Sequence, residues 1–195
     1  MAVLLTRRRA LTLLACGACA LGSRTLLADE AEVPARLQAE LIAKVAAYDK
    51  NFAARAGSTA TVLIVVDPGD PDSERFGAQL ESELGAIDAV GGLPHVEEQI
   101  SWKSAEAVAK SVKQKHAAIV FFTPGFGGRA GAIAEALSGA DVLSVASVAS
   151  YVKDRIVLGF DLVSGKPKLV VHLAQARRQN VAFKPGLLKL AKVYE

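Results

Sequence analysis

Two structural patterns meet in the stretch AAIVFFTPGFGGRAGAIAEAL, residues 117–137. Its first part, residues 117–122, is entirely apolar, which is typical of a short strand buried on both faces of a sheet. A glycine-rich loop follows, and the alanine-rich remainder has the composition of a helix. The stretch therefore predicts a strand, a loop and a helix in succession.

Two more apolar runs flank this unit, residues 60–66 (ATVLIVV) and 141–146 (DVLSVA). Segments with helical periodicity lie before and between the runs. This β-α-β-α-β order predicts a three-layer α/β fold, with a mostly parallel sheet and helices on both faces. The predicted helices are 33–56, 76–87 and 104–116, the last capped by Ser104, and residues 94–101 suit a further short strand.

The end of the chain has a different pattern. Residues 155–163 and 168–173 are two apolar segments joined by the turn SGK at 164–166, which predicts a C-terminal antiparallel hairpin. A short helix and a last amphipathic segment follow the hairpin. We expect the leucines of that segment to pack into the core; they are Leu187, Leu188 and Leu190.

The start of the chain has the features of an export signal. Three arginines at positions 7–9 precede an apolar run, and Ala28 offers a small residue for cleavage before Asp29. The arginines also suit a twin-arginine signal. We therefore expect residues 1–28 to be removed and residues 29–195 to form one domain. The alternative is a lipid on Cys16, because residues 13–16 (LLAC) resemble a lipobox.

Charge and cysteine content exclude several classes of protein. The chain has 23 basic and 20 acidic residues, and four of the basic ones precede Asp29, so the remainder carries a formal charge of −1. Nucleic-acid binding, which needs a basic stripe, is not predicted. Both cysteines, Cys16 and Cys19, lie in the predicted signal. The exported chain is therefore expected to lack disulfides and thiolate metal sites.

The glycine-rich loop and the end of the first strand provide the candidate ligand site. Asp67 lies where parallel sheets bind ligands, and with the loop it could line a crevice. The loop lacks both the dinucleotide fingerprint and the lysine of a P-loop, so we predict a connector and no nucleotide cofactor. Binding of a small anion or other small ligand is the alternative. The candidate residues are Asp67, Thr123, Gly125, Gly127, Gly128 and Arg129.

No pattern in the sequence predicts catalysis or a metal site. The three histidines, His95, His116 and His172, are far apart in the sequence, without ligand spacing. No serine lies in a Gly-x-Ser-x-Gly elbow, and no pair of carboxylates is singled out for acid–base chemistry. We therefore expect a protein that is not an enzyme. Trp102 is expected to anchor the core.

The C-terminal residues 170–195, VVHLAQARRQNVAFKPGLLKLAKVYE, resemble the end of the YfiR-like (HmsC-like) family of periplasmic proteins. The match includes the Ala-Arg-Arg stretch at 176–178 and the leucines near 187–190. His172 stands where an asparagine is usual, and residues 152–155 (VKDR) replace a Gly-Gly-Met segment. The resemblance implies a periplasmic α/β regulator that binds and represses the periplasmic sensor region of an inner-membrane diguanylate cyclase.

The resemblance and the local charge together suggest a surface for the partner. Four basic residues near the C-terminus are the partner-binding candidates, and their alternative role is an ordinary solvated surface. Membrane contact is expected only through the partner, or through a lipid on Cys16 in the alternative above. The partner-binding candidates are Arg177, Arg178, Lys184 and Lys189.

Overall fold

A seven-stranded sheet forms the centre of the computed structural model, which describes residues 33–195. The strands lie in the order β2-β1-β3-β4-β5-β6-β7. Strands β1 to β5 are mutually parallel, β6 is antiparallel to β5, and β7 is parallel to β6. The strand bounds are β1 Ala60–Val66, β2 His95–Ser101, β3 Ala117–Phe122, β4 Leu143–Ala146, β5 Leu158–Val163, β6 Lys166–His172 and β7 Lys192–Tyr194.

Helices cover both faces of the sheet. The first and third helices pack together on one face, and the fourth and fifth pack together on the other. The helix bounds are α1 Ala35–Ala46, α2 Phe52–Ala56, α3 Pro71–Gly85, α4 Ala105–Gln114, α5 Ala130–Ala136, α6 Ser150–Lys153, α7 Leu173–Arg178 and α8 Pro185–Leu188, and a 3-10 turn spans Gly127–Arg129.

Successive side chains of β1 pack alternately into two hydrophobic cores, one on each face of the sheet. Val62 and Ile64 belong to the core under α1 and α3, while Leu63 and Val65 belong to the core under α4 and α5. Successive side chains of a strand point to opposite faces, so a strand between two helical layers must be apolar throughout. The predicted three-layer, mostly parallel fold is confirmed, as is the antiparallel hairpin formed by β5 and β6.

Helices α3 and α4 both begin at a side-chain cap. The Asp70 carboxylate accepts hydrogen bonds from the backbone N–H groups of Asp72 and Ser73, and Pro71 occupies the first turn of α3. The Ser104 hydroxyl accepts a hydrogen bond from the N–H of Ala107 at 3.2 Å, as the sequence predicted for α4. Caps of this kind stabilise a helix by about 1 kcal/mol each.

The predicted helix over residues 33–56 is wrong in its middle. The chain leaves α1 after Ala46 and enters α2 at Phe52, with a turn between them. Asp49 in this turn is buried and accepts hydrogen bonds from the N–H groups of Asn51 and Ala182. These contacts interrupt a segment whose local periodicity is helical. One of them, to Ala182, joins residues that are far apart in the sequence.

The prediction that the last segment packs into the core through all its leucines is also wrong. Helix α8 is short, and the chain then forms β7, in which Val193 pairs with Val171 of β6. Leu187 is buried and Leu188 is half-buried, but Leu190 is 67% exposed. The added strand turns the end of the chain along the sheet edge, which leaves Leu190 outside the core.

The predicted export signal, with Cys16 and Cys19, lies outside the described residues. Among the helices of residues 33–195, none combines the length and apolar character that crossing a membrane requires.

Candidate functional site

The first candidate site lies at the carboxyl ends of the parallel strands. The chain passes from β1 to its neighbour β2 on one side and then returns to β3 on the other, so β1 and β3 form the point where the strand order reverses. Ligands of open α/β sheets bind at such a point. Asp67 follows β1, Trp102 follows β2 and Thr123 follows β3.

Asp67 and Arg129 form an ion pair at the carboxyl ends of these strands. The Nη1 atom of Arg129 lies 2.6 Å from Oδ2 of Asp67, and the other carboxylate oxygen accepts a hydrogen bond from the N–H of Gly69. The hydrogen bond from Arg129 lowers the pKa of the Asp67 carboxyl, and the bond from Gly69 lowers it further. Asp67 therefore stabilises the turn that follows β1 and also fixes the position of Arg129.

The Arg129 guanidinium also lies against two aromatic rings. Its central carbon is 5.4 Å from the centroid of the Trp102 ring and 5.2 Å from that of Phe126. The two rings pack edge to face, with their centroids 5.2 Å apart. Sequence reasoning assigned Trp102 to the core and missed this contact. Its place directly after a strand was the available signal, because that strand ends at the same edge as β1 and β3.

The Thr123 hydroxyl takes part in a hydrogen-bond network within the fold. Its buried hydroxyl donates to the carbonyl oxygen of Val65 at 2.9 Å and lies 2.6 Å from the hydroxyl of Ser73. The Ser73 oxygen in turn accepts the N–H of Asp67 at 2.8 Å. Because these hydrogen bonds join β1, β3 and α3, Thr123 fixes the shape of the edge and presents no free hydroxyl to a ligand.

The glycine-rich loop is shaped by its own contacts. Gly125 has φ +96°, a conformation that residues with side chains rarely adopt, and a Cβ there would lie 2.5 Å from Oδ2 of Asp70. The N–H of Phe126 donates to the Tyr151 hydroxyl at 2.9 Å. Gly127 and Gly128 are exposed. The loop is thus a strand-to-helix connection with part of its backbone already hydrogen-bonded.

A cleft of about 500 Å³ opens beside the loop. It is lined by Pro124, by the start of α1 and by polar residues of α3 and its cap, including Asp70 and Arg75. Asp67 and Arg129 are not among its lining residues. The ion pair and the cleft are therefore separate, neighbouring features at the carboxyl ends of the strands.

The structure separates two of the four partner-binding candidates. The Arg178 guanidinium lies 4.0 Å from Oε2 of Glu135 in α5. The Lys184 Nζ donates to the carbonyl oxygen of Ala47 at 2.8 Å and lies 5.9 Å from the centroid of the Tyr48 ring, just after α1. Because α1 and α5 cover opposite faces of the sheet, these two cations reach toward different faces.

Sequence reasoning missed a buried charged cluster at the amino ends of the strands. The Arg55 guanidinium, only 2% exposed, lies 2.8 Å from a carboxylate oxygen of Asp49 and 2.7 Å from one of Asp141. It also donates to the carbonyl oxygen of Asn180 at 2.9 Å. The cluster joins three segments that are distant in sequence; Arg55 and Asp49 are buried in it, whereas the Asp141 side chain is 52% exposed.

The histidines and carboxylates were also compared with the arrangement that a metal ion requires. Within residues 33–195, histidine, aspartate and glutamate side chains do not gather in any group of three suited to an ion. His95 instead pairs with Glu97, and its Nε2 lies 2.8 Å from the carbonyl oxygen of Ile87.

Comparison with known proteins gives a family and a fold. A family model described as YfiR/HmsC-like matches residues 35–192. No curated protein matches the chain. A conserved domain protein from Vibrio cholerae O1 biovar El Tor is similar, with a TM-score of 0.60 and 13% identity over 83% of this chain and 60% of that one. The ABC domain in complex with L-Trp from Streptococcus pneumonia has a TM-score of 0.59 and 11% identity, over 83% and 62%.

The chain thus spans 60% and 62% of the length of these two solved structures. At 13% and 11% identity, the likeness concerns the fold alone.

Proposed function

The chain belongs to the YfiR/HmsC-like family, a family of periplasmic regulators of cyclase signalling, and from this premise we propose what it does. It is an exported, non-enzymatic protein that binds the periplasmic sensor region of an inner-membrane diguanylate cyclase. Binding represses the cyclase and lowers its output of cyclic-di-GMP. Its export depends on the signal at residues 1–28, and residues 29–195 act as one domain.

The observation that carries this proposal is the separation of charge along the chain. Residues 162–194 contain seven basic residues and no acidic one, whereas residues 29–161 contain 12 basic and 19 acidic residues. A field of one sign on one part of a protein steers an oppositely charged partner toward it. The seven basic residues are Lys166, Lys168, Arg177, Arg178, Lys184, Lys189 and Lys192.

These cations are available to a partner. All seven are exposed, and within residues 33–195 Arg178 alone among them has a carboxylate within 4.0 Å. The other six cations have no carboxylate partner in that part of the chain, so they leave a positive potential at the surface. An acidic surface on the sensor region would be attracted to it. Lys166, Lys168 and Lys192 lie on β6 and β7, at the end of the sheet opposite β2, whereas Arg177 and Arg178 lie on α7, and Lys184 and Lys189 flank α8.

Deletion and complementation test the proposal in the cell. Loss of the gene should raise cyclic-di-GMP, with more biofilm matrix and less motility, and the wild-type gene should restore the original level. A gene carrying Arg177→Glu and Arg178→Glu should restore it only in part. The matched control is Lys110→Glu with Lys113→Glu, which changes the net charge equally on exposed positions of α4. Unaltered cyclic-di-GMP after deletion would contradict the proposal.

A second candidate function is favoured by the Arg129 site. The arginine is held by Asp67 and by the Trp102 and Phe126 rings at the β1–β3 edge, and part of its side chain faces solvent. This arrangement suits a small ligand with an anionic group and a flat apolar part. One solved structure of similar fold is in complex with L-Trp. Calorimetric titration with L-tryptophan and with phosphate tests this function, and a heat signal lost in Arg129→Ala would support it.

A further inference from the structure

The last strand of the sheet points to a specific way of binding. We propose that the open edge of β7 receives an extended, acidic segment of the partner as an added strand. This inference rests on the proposed function, because it assigns the manner in which the basic end of the sheet holds its partner.

The backbone of β7 is an unoccupied edge within the described chain. Residues 192–194 pair with residues 170–172 of β6, and β7 is the last strand of the sheet. No strand in residues 33–195 pairs with its outer side. An edge strand presents unpaired N–H and C=O groups, to which an extended peptide can add by main-chain hydrogen bonds.

Apolar side chains are exposed at the same edge. Val193 is 38% exposed on β7 itself, and Leu190, just before it, is more exposed. In a strand-addition complex, alternate side chains of the added segment cover such positions and provide specificity beyond the shared backbone hydrogen bonds.

At this edge two lysines outnumber the single glutamate, Glu195, so the edge favours an occupant with negative charge. Lys189 and Lys192 are both exposed beside β7, and Lys192 lies next to Tyr194, whose hydrogen bond raises the pKa of the lysine. Two lysine-bearing edges repel each other, which opposes pairing of β7 with the same edge of a second copy. A strand carrying carboxylates is attracted to the same lysines, so the charge that excludes one occupant favours the other.

The opposite edge of a second copy fits poorly. Strand β2 is the other end of the sheet and carries Glu97 and Glu98. Glu97 is already paired with His95, and Glu98 with Lys115 at 2.6 Å. Because Glu98 is paired with Lys115 and Glu97 contacts His95 within the same molecule, the carboxylates of the β2 edge already have partners and are poorly placed to pair with β7. The favoured occupant is therefore a segment of a different, acidic protein.

Hydrogen exchange of the purified exported protein tests the inference with designed peptides. The probe is a peptide of about six residues, the usual length of a strand, that alternates glutamate with valine. At a peptide concentration about ten times its Kd, exchange of the outward-facing β7 amides should slow about tenfold. A peptide alternating lysine with valine should leave β7 unprotected, and so should the acidic peptide with a central proline, which cannot complete the strand.

The outcomes separate strand addition from its alternatives. Equal binding of the acidic peptides with and without proline, or protection absent from β7, would overturn the inference. Protection of β7 that grows with protein concentration in the absence of peptide would also overturn it, in favour of a second copy. Lys189→Glu with Lys192→Glu should abolish the protection by the acidic peptide, whereas Lys110→Glu with Lys113→Glu should retain it.

The same measurement with the purified sensor region distinguishes this inference from the proposed function. Capture of the sensor region without protection of β7 would leave the proposed function in place and reject strand addition. Protection of β7 by the acidic peptide together with failure to capture the sensor region would reject the proposed partner and retain the edge as a peptide site.

Discussion

The backbone N–H of Gln175 donates a hydrogen bond to the imidazole Nδ1 of His172 at 3.3 Å, so a histidine caps the first turn of α7. Only an imidazole that is unprotonated at Nδ1 can accept this bond. Burial lowers the pKa of His172, and the positive charges of Arg155 and Arg178 lower it further. The cap therefore links the helix that carries Arg177 and Arg178 to pH.

We expect the free energy of unfolding to decrease as the pH falls below about 6.5, the unperturbed value for histidine. The folded pKa of His172 is lowered, so the unfolded chain takes up the proton first. The contribution of His172 is therefore complete above that pH and is lost as the pH falls toward the folded pKa. Urea unfolding at neutral pH and at about pH 5.5 measures the change.

The variant His172→Asn separates this effect from the titration of carboxylates. Asparagine is a good helix cap and does not titrate, so stability at neutral pH should change by less than about 1 kcal/mol. The loss of stability between neutral pH and about pH 5.5 should be smaller in the variant than in the wild type. An identical loss in both proteins would show that His172 is not responsible.

The buried ion pair of Arg55 and Asp49 gives a prediction about stability. Arg55→Ala removes the cation and leaves the buried carboxylate without its charged partner. Loss of one partner of a buried pair costs about 3–5 kcal/mol in the free energy of unfolding. The control is Arg75→Ala, which breaks an exposed pair with Asp72 and should cost about 1 kcal/mol or less. Chemical denaturation of both variants measures the difference, and equal losses would contradict the structural role of the cluster.

The leucines at the end of the chain should differ in their effects. Leu187 is 3% exposed, so Leu187→Ala should destabilise the protein by about 2–5 kcal/mol. Leu190 is largely exposed, so Leu190→Ala should change stability by about 0.5 kcal/mol or less. Thermal or urea unfolding of the two variants compares them directly. A large loss for Leu190→Ala would mean that this leucine packs in the core after all.

The sequence predicted the elements whose residues are all buried or whose turns are local. The run AAIVFF became β3, and the segments around SGK became a hairpin, because burial on both faces and a tight turn leave direct signals in neighbouring residues. The break between α1 and α2 was not predictable in this way. It depends on Asp49 accepting the N–H of Ala182, a contact between residues 133 positions apart.

The candidate ligand site was predicted in part. Asp67, Thr123 and the loop do lie together at the carboxyl ends of the parallel strands, as their places after those strands suggested. The partner of Asp67 was not foreseen, and neither was the contact of Arg129 with Trp102. Both depend on how the loop turns, which is set by the positive φ of Gly125 and by the Tyr151 hydroxyl, and neither feature leaves a periodic signal.

Titration of the sensor region with the protein measures the binding on which the proposed function depends. The Kd should rise about tenfold or more for Arg177→Glu with Arg178→Glu at low salt, because the reversed charges repel an acidic partner. The difference should shrink at 0.5 M salt, where exposed charges are screened over roughly 4 Å. The control Lys110→Glu with Lys113→Glu should bind like the wild type. Equal affinity of the wild type and the folded Arg177→Glu, Arg178→Glu variant for the sensor region at low salt would show that these arginines do not bind the partner.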